Sequence, residues 1–370
     1  MAVTAKQLSI YETKTPMRSF EHAAASRDVA RTIVVRMALS DGRVGWGETL
    51  PRDYVTGETF ESAIADIRDR IWPVVREQDL SDPASVNIPT QDSGARCMNA
   101  AACAVELAIW WTQPPSANRR KITARVTGVL GSVDPSKTAK RLRLMHLIGL
   151  RDFKLKLGFG DDVDTANLRI CQRKLARGIG KDKASLRVDV NGGWDVETTP
   201  QRIKDIAPYG VCVVEQPTFI PPEELFDLAG RCSLPLMADE SLITEQDARI
   251  YLADPKRIWW NVRISKNGGL GPAGRLLALA AENGVTVSNG CMVGESGILS
   301  SAQRRLLETS PQPRFVEGNY GRFLLREDLT RPSIRFGWGG RLKSLSGDGF
   351  GVKIDLDNLK RHATLVEELE

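Results

Sequence analysis

Two lysines one residue apart, Lys154 and Lys156, sit in the short apolar run DFKLKL. Residues two apart on a strand share a face, so this run presents both ammonium groups on one side. Three similar runs further along each bring a carboxylate: Asp189 in LRVDV, Glu215 in VCVVEQ and Asp239, followed by Glu240, in LMADE. If the runs are neighbouring strands, three single carboxylates converge on one point. They repel one another unless a cation neutralises them. Hard oxygen donors, few enough to leave positions for water, suit Mg²⁺. Asn191 and Glu240 stand beside these groups, where they can orient ligands or lysines. Any one of the carboxylates alone reads equally well as a strand-end cap. The ordered set after Lys-x-Lys favours a metal centre.

The elements that must position these groups follow from the rhythm of the chain. From about residue 121, short apolar runs alternate with longer amphipathic stretches. Strands are expected at ITARVTGVL, DFKLKL, LRVDV, VCVVEQ, LMAD, IWWNVRI, VTVSN and RFVEG. Helices fall between them, among others at 134–148, 163–178 and 271–283. Eight such units predict a (β/α)8 barrel, whose chemistry sits at the C-terminal ends of its strands. Residues 1–118 read differently. ARTIVVRMALSDGRVGWGETLP alternates around Asp41-Gly42 as a β-hairpin does, and helical stretches follow near 58–76 and 97–111. These features predict an α+β domain, ended by the breaker Gln113-Pro114-Pro115-Ser116-Ala117-Asn118. The expected division is 1–118, a barrel over 119–326, and a tail over 327–370. The tail, with glycine-rich turns and the strand-like GFGVKIDLD, is expected to pack on the first domain.

Composition narrows the function classes. The chain has 370 residues, 42% hydrophobic and 26% charged, with a net charge of +5. The charges are interspersed, without the basic block that nucleic-acid binding favours. No apolar run approaches the roughly 18 residues of a membrane helix, and the first residues lack a secretory pattern. Six cysteines without CxxC spacing predict reduced thiols and a cytoplasmic setting. Three scattered histidines, His22, His146 and His362, offer neither a histidine metal cluster nor a triad.

The segments KLKLG, DVNGGW, EQP, ADES, ISKNGG and GCMVGES, in this order, resemble the enolase superfamily, and most closely its muconate lactonising enzyme (muconate cycloisomerase) subgroup within the mandelate racemase/muconate lactonising enzyme family. WGETLPRDYVTGET resembles the capping domain of the same proteins. The resemblance implies an α/β fold: a modified (β/α)8 TIM barrel with an N-terminal α+β capping domain completed by the C-terminal tail. It implies that Asp189, Glu215 and Asp239 bind Mg²⁺, that Lys156 is the acid/base and that Lys154 assists. The implied chemistry is removal of a proton α to a carboxylate through an enediolate, which a divalent cation stabilises. It further implies a small-molecule carboxylate substrate and a homo-oligomer, dimeric or octameric.

This sequence departs from the family pattern on the sixth strand. The family's second catalytic lysine corresponds to the third position of Asn261-Val262-Arg263, where arginine stands. Arginine stays protonated and is a poor base, yet it can stabilise an enolate or grip a second carboxylate. Lys266, three residues on and of opposite parity, is expected to be a solvated turn lysine unless it swings inward. The mandelate racemase branch uses a histidine near the position of Gly290-Cys291-Met292, where this chain has none. Dipeptide epimerases of the family carry an Asp-x-Asp pair for the substrate ammonium after the eighth strand. Here only Glu317 could serve, and Arg322 favours an anionic substrate. Glu295 can line the pocket, or Glu295-Ser296 can cap a helix. Two capping-domain loops, 15–27 and 51–59, are expected over the barrel mouth, with Arg18, Phe20, His22 and Tyr54 as candidates to touch substrate.

Three readings result. The first is a one-base cycloisomerase or syn-eliminating lyase, like muconate cycloisomerase or o-succinylbenzoate synthase, acting on a small anionic acid. The second is a dipeptide or N-acylamino-acid epimerase or racemase. The third is a metal-binding barrel that has lost catalysis, against which the intact set of charged groups argues.

Overall fold

The computed structural model describes residues 2–22, 25–91, 97–176 and 184–370, and within these not the side chains of 19–27 or 176. The chain begins with three antiparallel strands, β1 (Ala5–His22), β2 (Ala25–Leu39) and β3 (Val44–Thr49). The turn between β2 and β3 falls at Asp41-Gly42, with Leu39 N–H donating to Arg43 O. Alternation gives this sheet an apolar face. Leu8, Ile10, Ile33, Val35 and Met37 are buried on it against Ala101, Ala104, Val105 and Ala108 of the helix Asn99–Trp111. Helix and sheet approach so closely that a Cβ on Gly45 or Gly47 would collide with the carbonyls of Ala108 and Ala104. The helical stretch expected near 58–76 is present as Phe60–Asp66, a π-helical turn Ile67–Ile71 and Trp72–Val75.

Eight parallel strands follow: β4 (Gly128–Leu130), β5 (Asp152–Lys156), β6 (Ser185–Asp189), β7 (Val211–Glu215), β8 (Leu236–Ala238), β9 (Ile258–Val262), β10 (Val287–Asn289) and β11 (Phe315–Val316). They neighbour one another in chain order. A parallel bridge between Val126 and Val316 joins the two ends of the sheet, with Thr127 N–H donating to Val316 O at 2.7 Å. This is the curled parallel sheet of a TIM-like barrel. Helices at Pro135–Leu147, Asp161–Ala176 and Leu270–Glu282 lie within two residues of the expected limits.

The tail follows the barrel with two short strands, a helix and one longer strand. Within GFGVKIDLD only β13 (Lys353–Ile354) is extended, and it pairs with β12 (Thr330–Arg331) rather than with the first sheet. Asp355 then caps the helix Leu356–His362, accepting from Asn358 N at 3.2 Å. The strand that completes the first sheet is β14 (Ala363–Leu369), antiparallel to β1. The segment expected as a loop over 15–27 is instead strand at its described residues, 15–22 and 25–27. It is the outer end of the β1–β2 hairpin, whose pairing runs to His22–Ala25.

Buried carboxylates tie the two sheets together. Glu48 of β3 accepts from Ser296 Oγ at 2.7 Å and from the N–H groups of Ser296 and Leu299, at the start of the helix Gly297–Thr309. Glu106 accepts from Leu270 and Gly271 N–H at 2.8 and 2.7 Å, at the start of the helix Leu270–Glu282. A helix N-terminus favours a carboxylate through its free N–H groups and dipole. Burial nonetheless pushes both carboxyls up to about 7. Among the described residues no helix is long and apolar enough to cross a membrane. Among the described residues no disulfide joins any of the six cysteines.

Candidate active site

The strand register sets the chemistry-bearing residues along one rim. Lys156 pairs with Asp189, and Asp189 with Glu215, across β5, β6 and β7. Asp239, Arg263 and Glu317 each stand one residue beyond β8, β9 and β11. Gln216, in a left-handed conformation (φ 36°), fixes the turn that carries Asp239. Its Oε1 accepts from Asp239 and Ser241 N–H, and its Nε2 donates to Thr218 O and Ser241 Oγ.

Both lysines of the Lys-x-Lys pair point inward. Lys156 Nζ donates to Asn191 Oδ1 at 2.6 Å and Asp189 Oδ2 at 3.0 Å, with 13% of its side chain exposed. Lys154 is almost wholly buried and lies 2.7 Å from Glu317, 3.2 Å from Glu215 and 3.3 Å from Asp189. These carboxylates outweigh burial and raise its ammonium pKa above the ordinary lysine range. Glu317 is correspondingly depressed: despite burial, Lys154 and Arg187 hold it near 2. Arg187 donates to Glu317 Oε1 at 2.8 Å, and its guanidinium lies over the Phe315 ring. Both Glu317 oxygens thus already carry protein cations. Asn191, held at φ 48°, lies 3.4 Å from Glu240 through its Nδ2, and burial together with the Asp189 charge raises the Glu240 carboxyl.

The three expected metal ligands are fully buried on the same rim, but they do not surround one empty point. Among the described residues no three such groups are spaced to hold an ion as they stand. Cations of the chain interleave them. Arg263 Nη2 is bonded to Asp239 Oδ2 and lies 3.9 Å from Glu215 Oε1. Lys266 donates to Asp239 Oδ1 at 3.1 Å, Asp239 O at 2.6 Å and Asn261 O at 2.7 Å. Glu215 Oε1 also accepts from Asn261 Nδ2 at 2.8 Å, while its Oε2 is buried without a hydrogen bond. Three hard carboxylates, one with an unsatisfied oxygen, suit a divalent cation. For that cation to meet all three, the cations of the chain must make room.

Lys266 is therefore not a solvated turn lysine. It is 1% exposed and turned inward. Strand parity lapses at Arg263, and the turn that follows brings the side chain back beneath its own strand. Burial, then the nearby Arg263 charge, lowers its hold on a proton.

A cavity of about 560 Å³ opens above this rim. Its lining includes Lys154, Lys156, Asn191, Glu240, Arg263 and Glu317, but not Lys266. Arg18, Arg52 and Tyr54 line it from the first domain, and Arg18 N–H donates to Leu324 O across the mouth. The side chains of Phe20 and His22 lie outside the described residues. Apolar lining comes from Val129, Met145, Phe219, Met292, Tyr320 and Phe323, with Arg141 among them. Glu295 lines the cavity and accepts from Met292 N at 2.6 Å, and burial pushes it up to about 8. Its neighbour Ser296 caps the helix Gly297–Thr309. Arg322 is exposed on the turn Gly321–Phe323 and is not part of the lining.

Sequence reasoning missed Arg187, Asn261, Gln216 and Arg141. Arg187 and Asn261 share strand parity with Asp189 and Arg263, which was signal enough to place both inside the barrel. Gly290 has a related reason: a Cβ there would collide with Asn261 Oδ1.

Comparison with known proteins agrees with this architecture. The enolase C-terminal domain-like family matches residues 137–358, more than half of the chain. The N-succinyl-L-Arg/Lys racemase of Bacillus cereus is 27% identical over 82% of this chain and 83% of its own. Muconate cycloisomerase 1 of Rhodococcus opacus is also 27% identical, over 93% and 94%. The crystal structure of muconate lactonizing enzyme from Pseudomonas fluorescens complexed with muconolactone superposes with a TM-score of 0.84. It shares 25% identity and covers 98% of this chain and all of that one.

Proposed function

Because the chain belongs to the enolase C-terminal domain-like family of the enolase superfamily, we propose that it removes a proton α to the carboxylate of a small anionic acid, using a single base. Lys156 is that base. The observation that carries the reading is the asymmetry of the cavity. One wall presents the Lys156 amine, and the β9 wall presents the guanidinium of Arg263. A guanidinium does not accept a proton near neutral pH.

Asp189, Glu215 and Asp239 would hold Mg²⁺, with Asn261 and Gln216 orienting Glu215 and the Asp239 turn. When bound, the ion supplies positive charge to the substrate carboxylate as negative charge develops on its oxygens. Lys154 is locked among three carboxylates and stays charged, so it contributes a fixed field beside Lys156. Asn191 orients the Lys156 amine. The lining arginines favour an anionic substrate, and the apolar wall favours a carbon body between its charges. Ring closure of a muconate-like diacid and syn elimination both need only one base.

Epimerisation of an N-acylated amino acid is the second reading. The relatives named racemase and epimerase support it, as does the inward burial of Lys266. It requires a base on the second face, and Lys266 is not part of the cavity lining.

The test is incubation in D₂O with Mg²⁺ and a panel of muconates, succinyl-cyclohexadiene carboxylates, N-succinyl amino acids and dipeptides, read by mass spectrometry and NMR. The expected result is label in, or conversion of, a diacid without inversion, lost in Lys156→Ala. Label with inverted configuration in the wild-type chain would overturn the one-base reading.

A further inference from the structure

Asp239 already has two cations of its own chain. Arg263 Nη2 bonds its Oδ2, and Lys266 Nζ bonds its Oδ1. The same Arg263 nitrogen lies 3.9 Å from Glu215 Oε1. A guanidinium between carboxylates from neighbouring strands does what a divalent ion does there: it cancels their repulsion. Little else holds the group. Nη1 reaches only Met292 Sδ at 3.5 Å, and Nε is buried without a partner.

We infer that Arg263 and the divalent cation are alternative occupants of one position between Glu215 and Asp239, and that loading the metal releases the guanidinium into the cavity. The inference rests on the metal reading above and adds what this chain's own arginine does. The backbone need not move, because Arg263 N–H is fixed on Asn267 Oδ1 at 2.8 Å while its side chain already lines the cavity. Lys266 does not follow. It is fully enclosed by three acceptors, so Asp239 keeps that donor after Arg263 leaves. Once released, the planar fork faces the space where substrate binds, and it can take a carboxylate in two parallel hydrogen bonds. The guanidinium does not lose its charge near neutral pH, so displacement is the only way to clear the position. The arginine thus both weakens metal binding and stabilises the chain without metal.

The test is calorimetric titration of Mg²⁺ into EDTA-stripped, desalted wild-type chain, Arg263→Ala and Arg263→Lys, with melting curves in EDTA. Arg263→Ala is expected to bind Mg²⁺ at least about tenfold more tightly than wild type and to melt lower without metal. Arg263→Lys is expected to fall between, and it carries the comparison alone if the alanine variant fails to fold. Crystal structures of the wild type with and without Mg²⁺ are expected to show the guanidinium on Asp239 only without the ion. Unchanged or weaker Mg²⁺ binding in the variants overturns the inference and leaves the metal reading standing. So does a loaded structure with the guanidinium still on Asp239. No Mg²⁺ binding in any of the three chains overturns both.

Discussion

The two walls of the cavity are built from the same kind of element and behave differently. On β5, Lys154 and Lys156 stay within the strand, so alternation sends both inward. On the β9 side the strand ends at Val262. Arg263 still faces the cavity, but Lys266 lies in a turn and folds back onto Asn261 O and Asp239. Two adjacent basic residues of β5 thus share one site. Two basic residues after β9 are divided between the cavity and the structure beneath it. Parity places a side chain only while the strand lasts.

Four substitutions sharpen or break this contrast. Lys156→Ala should have the largest effect, a loss of about 100- to 10,000-fold in isotope exchange with little change in melting. Activity retained within a few-fold would remove the β5 wall from the chemistry. Lys266→Met should act on the other side and in another way. It leaves the buried carbonyls of Asp239 and Asn261 without their donor while Arg263 stays on Asp239, and should cost about 1–3 kcal/mol in urea unfolding. A variant as stable as wild type but without isotope exchange would make Lys266 a base and erase the contrast.

Glu317→Gln tests the support of the β5 wall and should cost on the order of 3 kcal/mol at pH 7. The folded-state carboxyl lies near 2, below its ordinary 4.5. Its contribution is therefore present above about pH 4.5 and is lost as pH falls towards 2. Wild-type and variant stabilities should converge over that interval, and a gap that stays constant with pH would mean that charge is not the cause. Arg322→Ala should have the smallest effect, within about twofold on turnover, because the side chain is exposed outside the cavity lining. A larger loss would extend the binding surface beyond the cavity.

Much of the barrel was legible because buried parallel strands read as short apolar runs with a polar residue at the end. Seven of the eight runs contain their strand, the eighth (LRVDV) misses only the first residue, Ser185, and the rim residues follow from them. The C-terminal strand β14 was not legible. ATLVEEL is mostly exposed at a sheet edge, with Leu365 and Val366 open to solvent, so the apolar signal is absent. Nor was the extension of the β1–β2 hairpin, because Pro16 and the bulge between Pro16 and Phe20 interrupt alternation. Within the site, residue types announced the carboxylates and lysines. The interleaving of Arg263 and Lys266 between those carboxylates depends on distances across strands, which one strand's sequence does not contain.

The pairing of Leu8 with Leu369 gives the molecule a closed circuit. The first sheet holds both ends of a loop that contains every barrel strand. The pairing among β1, β2 and β3 is local, which lets these three strands form early. The sheet's fourth strand can dock only after the barrel has brought the far end of the chain home. During synthesis, β1 therefore waits with one edge unpaired until β14 is out, a long-range closure of the kind that slows folding. An open edge is also where a strand from another molecule can pair. The last seven-residue strand thus works as a lock, set at the end of folding, that keeps the first strand from finding the wrong partner.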